Sequence, residues 1–94
     1  MKTEGTVQQV SDNGDLITTI TARQLADYPR DSQLRVVVDD EHETFGVFDS
    51  PEGQPAMTLL AIQNGEDVLR LHLVGDSAAA MLGIRAGAKV VVQS

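Results

Sequence analysis

No cysteine occurs anywhere in the 94-residue chain, which excludes a disulfide framework, a thiol nucleophile and a thiolate metal site. Tryptophan is missing too, and the only aromatic residues are Tyr28, Phe45 and Phe48. A core must therefore be assembled from Val, Ile, Leu and Ala, and no aromatic platform for stacking bases is expected. Basic residues are scarce: seven Lys and Arg stand against fourteen Asp and Glu, a formal charge of −7. Such a balance repels phosphate backbones and anionic lipid surfaces, so neither nucleic acid nor membrane is expected as a partner. No apolar run approaches the length of a membrane span, and the first residues carry no apolar stretch behind a basic end. A cytoplasmic protein is the corresponding expectation.

What is present suits one domain over residues 1–94, since a chain of this size buries roughly 60 to 65% of its unfolded surface around a single core. β-Branched residues over 5–10 and 16–20 flank Asp12-Asn13-Gly14-Asp15, the signature of a hairpin turn. Gln24 stands three residues after Thr21, the spacing at which an amide and a hydroxyl cap a helix start reciprocally, and the short helix should end before Pro29. Segments 33–38 and 43–48 bracket a polar turn and read as two further strands, followed by a loop with Pro51, Gly53 and Pro55. Segments 57–63 and 68–74 form a second hairpin about Asn64-Gly65, in which Leu69, Leu71 and Leu73 share one face while Arg70, His72 and Val74 share the other. Asp76 or Ser77 can cap a helical turn that Gly83 stops, and 89–93 closes the chain as a strand. About seven short strands with one or two short helices predict a mostly β fold, a small barrel or sandwich.

Few residues offer chemistry. Gly75-Asp76-Ser77 matches the tripeptide around one class of esterase nucleophile, yet that class needs a histidine after the serine, and none follows here. Helix capping accounts for Asp76 and Ser77 without catalysis. The acidic turn at 12–15 has too few alternating carboxylates for a calcium loop, and no metal site is expected. His42 lies among acids at a hairpin tip. Arg70 and His72 could hold an anion if their face lined a cleft; a water-washed face is the simpler expectation.

The order of motifs carries more than any one of them. Gly5-x-Val-x-x-Val-x-Asp-x-Gly14-Asp-Leu-Ile-Thr-Thr-Ile20, then Thr44-Phe45, 53–62, Leu69-x-Leu-x-Leu73 and Ser77-Ala-Ala-x-x-Leu82-Gly-Ile-x-x-Gly87-x-x-Val90 together resemble the C-terminal β-barrel of the S-adenosylmethionine hydroxide adenosyltransferases. That resemblance covers nearly the whole chain. It implies that the catalytic residues belong to an N-terminal α/β domain not present in this sequence. It also implies that the family's barrel helps hold S-adenosylmethionine between the subunits of a trimer.

The family's ligand-contacting pattern, Phe-Gly-Asn before the second strand and an Asn before the Ser-Ala-Ala turn, falls on Asn13-Gly14-Asp15 and on Val74. A stacking ring and two amides are thereby lost. The resemblance therefore implies a stand-alone, non-catalytic binding or assembly module without a cofactor, a homo-oligomer or one half of a protein complex, in which S-adenosylmethionine binding is doubtful. Two alternatives remain: a subunit that completes, in trans, the active site of a separately encoded N-terminal half, and a PDZ-like peptide-binding domain suggested by 77–87.

Overall fold

A computed structural model describes residues 1–94 as seven antiparallel strands in a nearly closed barrel with two short helices. The elements in chain order are β1 Lys2–Val10, β2 Leu16–Thr18, α1 Ala22–Leu25, β3 Arg35–Val38, β4 His42–Phe45, β5 Leu59–Ile62, β6 Arg70–Leu73, α2 Ala78–Leu82 and β7 Lys89–Gln93. Around the sheet they run β4-β3-β7-β1-β2-β6-β5. The long β1 joins the two halves. Its first part pairs with β7 from Lys2 opposite Gln93, and its second part pairs with β2 as far as Val10 opposite Leu16. An irregularity between Val7 and Gln9 interrupts the register at the change of partner, where a bulge bends a strand enough to curl a sheet.

The alternation read in the sequence decides what lies inside. Leu69, Leu71 and Leu73 are all buried, as are Val36, Val38, Val90 and Val92 on the opposite wall, with Val7, Leu16 and Ile20 between them. Tyr28 is the one ring in the core; its hydroxyl lies 2.9 Å from Thr3 Oγ1 and donates to Val92 O at 3.3 Å. Both helix starts are capped as the sequence predicts. Thr21 and Gln24 form the reciprocal capping box, Ser77 Oγ accepts from the Ala80 amide, and Gly83 ends α2 in the left-handed region at φ 68.

Strand bounds differ from the sequence expectation where side chains or turns take over the backbone bonds. β1 begins at Lys2 rather than Gly5, because β7 supplies partners from Gln93 onward. β2 stops at Thr18, whose hydroxyl donates to Leu69 O at 2.6 Å and accepts from the Ile20 amide. The predicted 43–48 strand stops at Phe45, and its remainder serves another purpose. The Phe48 amide donates to Ala61 O at 2.9 Å and the Gln63 amide donates to Phe48 O at 3.0 Å, a single parallel bridge that joins the two ends of the sheet. Arg30 reinforces that seam, donating to Gln63 Oε1 at 2.8 Å, Gln63 O at 2.7 Å and Asp49 Oδ1 at 3.1 Å. No helix is long and apolar enough to cross a membrane.

Candidate functional site

Asp15 is an anomaly in this fold. It follows an Asn-Gly turn, where acids normally sit in water, yet only 1% of its side chain is exposed. The turn is folded back on itself. The Ser11 amide donates to Asp15 O and the Asp15 amide donates to Ser11 Oγ, both at 3.0 Å, while the Gly14 amide donates to Ser11 O at 2.9 Å. Gly14 O then accepts from the Ala79 amide at 3.0 Å, which docks the start of α2 on the turn. Gly14 has φ +89, and a β-carbon there would lie 2.0 Å from Ser77 Oγ and 2.7 Å from Ser77 Cα. Only glycine allows this approach.

The buried carboxylate meets two side chains of β6. Asp15 Oδ1 lies 2.7 Å from His72 Nδ1, and Asp15 Oδ2 lies 3.6 Å from Arg70 Nη1. The first is a hydrogen bond; the second is an ion pair beyond hydrogen-bond length. Desolvating a carboxylate is costly, and these two neighbours offset that cost. His72 Nδ1 is occupied by Asp15, and Nε2 makes no hydrogen bond within the chain. A carboxylate holding one imidazole nitrogen fixes the ring and, in the neutral form, leaves the other nitrogen as an acceptor.

His72 also lines a shallow cleft of about 320 Å³ together with Asn13, Leu73, Gly75 and Asp76. A second cleft, about 360 Å³, is lined by Arg70 with Ile17, Ile62, Val68, Asp49, Asn64 and Asp67. Asp15 thus anchors one residue of each cleft. Arg70 is half exposed, with 46% of its side chain accessible, but His72 has only 19%. The water-washed face expected from the sequence is therefore corrected for His72, because the turn at 11–15 covers that side of β6.

Of the residues singled out from the sequence, Asn13, Asp15, Arg70 and His72 come together. Val74 lies one residue past the end of β6, and its backbone bonds to the segment leading into β5, its amide donating to Thr58 O at 3.0 Å and its carbonyl accepting from the Met57 amide at 2.8 Å. Ser11, missed in the sequence, organises the turn; a serine preceding an Asp-Asn-Gly turn is its only local signal. Ser77 Oγ is engaged in capping and makes no hydrogen bond to His72, while Asp76 Oδ1 accepts from the Ser77 amide at 2.8 Å. His42 sits at the β3–β4 hairpin, 3.9 Å from Glu41, away from the Asp15 hydrogen bonds. No group of three or more His, Asp or Glu side chains is arranged to hold a metal ion.

No protein-family model matches the chain, and no curated protein matches it. Among solved structures, an uncharacterized conserved protein from Thermotoga maritima is similar over 99% of this chain and 36% of its own, with a TM-score of 0.79 and 21% identity. A conserved hypothetical protein from Thermus thermophilus is similar over 96% of this chain and 32% of its own, with a TM-score of 0.69 and 21% identity. The chain spans about a third of the length of these two structures. At that identity the likeness establishes the fold: a whole barrel here corresponds to one part of larger proteins.

Proposed function

We propose that this barrel is a binding or assembly module related to the C-terminal barrel of the S-adenosylmethionine hydroxide adenosyltransferases, without turnover of its own. The observation that carries this reading is the state of the polar cluster. Its members have structural partners: Asp15 ties the turn to β6 through His72, while Ser77 caps α2 at the Ala80 amide and Asp76 accepts from the Ser77 amide. No nucleophile stands in hydrogen-bond contact with the imidazole, as covalent catalysis requires. The side chains of Phe45, Met57 and Met81, each more than half exposed, support an assembly role by supplying apolar surface to a partner or a second copy.

Incubating the purified chain with S-adenosylmethionine and following adenosine by chromatography is the direct test. The expected result is release at the uncatalysed rate. Faster release that disappears in His72→Ala would overturn the proposal. Light scattering across a concentration series addresses assembly, with a dimer or trimer expected; a strict monomer at high concentration would remove self-assembly and leave a different partner.

A second reading is completion of an active site in trans. It is favoured by the extent of the two matched structures, which continue for roughly twice the length of this barrel beyond it. An α/β half without its own barrel, encoded in the same genome, would be the required companion. Its absence would end this reading. The PDZ-like alternative gains less support, since α2 packs through Ala79 onto the Gly14 turn instead of bordering an open strand edge.

A further inference from the structure

The chain contains two Asn-Gly pairs, Asn13-Gly14 and Asn64-Gly65, and the fold treats them differently. An asparagine followed by glycine is open to attack by the glycine nitrogen on its own side-chain carbonyl carbon, because glycine has no β-carbon to obstruct the approach. At Gly14 that nitrogen is engaged, donating to Ser11 O at 2.9 Å, and the residue is wedged against Ser77, where even a β-carbon would lie 2.0 Å from Oγ. Ser11 Oγ also holds Asn13 Oδ1. At Gly65 the amide donates no hydrogen bond, and no atom beyond the two adjoining residues lies within 4 Å of the position a β-carbon would take. The Asn64 side chain is restrained by one long bond, Nδ2 to Asp49 O at 3.3 Å.

We propose that Asn64 is a self-modification site of this barrel, while Asn13 is protected by its fold. The Gly65 nitrogen, having given its proton to solvent base, attacks Asn64 Cγ. The new N–Cγ bond forms as the Cγ–Nδ2 bond breaks, and the amide nitrogen leaves as ammonia with a proton returned from water. One water molecule then opens the cyclic imide at either carbonyl, giving aspartate or isoaspartate. The product loses the amide donor to Asp49 O and places a third carboxylate in the cleft already lined by Asp49 and Asp67. It therefore changes the charge of the surface that Arg70 shares.

Freeing the Gly14 amide means breaking a buried hydrogen bond and lifting the turn off α2. Asn64 in the folded chain is thus expected to react about tenfold faster than Asn13, a barrier difference of about 1.4 kcal/mol. Peptide mass spectrometry of the intact chain, aged in warm, mildly alkaline buffer with a parallel sample in guanidinium chloride, reads both sites at once. The expected pattern is a strong Asn64 bias in the folded sample that shrinks towards equality in the denatured one. Asn64→Gln should remove the dominant product. Equal rates at the two sites in the folded chain, an inert Asn64 beside a reactive denatured control, or a dominant product that survives Asn64→Gln would each overturn the proposal.

Discussion

Replacing His72 by alanine takes away the only hydrogen-bond partner of the Asp15 carboxylate, 2.7 Å away, and leaves a side chain that is 1% exposed. Hydrogen bonds to charged groups are worth roughly 1.5 to 3 kcal/mol, and stripping one partner from a fully buried ion pair costs about 3 to 5 kcal/mol. The lower range applies here. Arg70 remains 3.6 Å from Oδ2 and is free enough, at 46% side-chain exposure, to move towards the carboxylate, and the vacated space adjoins an open cleft that water can enter. The expected destabilisation is about 2 to 3 kcal/mol, which for a domain of this size lowers Tm by roughly 10 to 20 °C. Urea unfolding followed by circular dichroism measures it. The double variant Asp15→Leu with His72→Leu should recover part of the loss, since two apolar groups leave no buried charge unpaired. A His72→Ala variant within about 0.5 kcal/mol of the parent would show that Asp15 does not depend on the imidazole, and the account of the cluster would fail.

Gly14→Ala combines a strained φ of +89 with a β-carbon 2.7 Å from Ser77 Cα, so a loss of about 3 kcal/mol or more is expected, seen as a collapse of the thermal transition. Arg30→Ala leaves the buried Gln63 Oε1 without its donor, whereas the exposed Asp49 contact contributes little. A cost of about 1 to 2 kcal/mol is expected, with hydrogen exchange faster at the Phe48 and Gln63 amides than elsewhere; uniform exchange would refute a seam role for Arg30. Ser77→Ala should cost about 1 kcal/mol as a lost helix cap, and a larger fall would point to a further partner of that hydroxyl. On the proposed adenosyltransferase relationship, titration of adenosine or S-adenosylmethionine should give no complex tighter than about millimolar, and micromolar affinity would overturn the expectation that Asn13, Asp15 and Val74 do not serve as ligand contacts.

Local chemistry, written within a few residues, was open to reading from the sequence. The reciprocal cap of Thr21 and Gln24, the Ser77 cap, the Gly83 stop and the alternation of Leu69, Leu71 and Leu73 each depend on neighbours at most a few positions away, and each is present as expected. The same pattern placed Arg70 and His72 on the face opposite the leucines. It could not say what covers that face. Asp15 and His72 are 57 residues apart, and their contact exists only because β2 pairs with β6 and α2 docks on the Gly14 carbonyl. The closure at Phe48 is likewise invisible in the sequence, where 43–48 reads as one continuous strand. A period of two determines which side chains share a face, but not which distant turn lies over it or where a curled sheet meets its own edge; those depend on the register and bend of β1, which only the assembled barrel specifies.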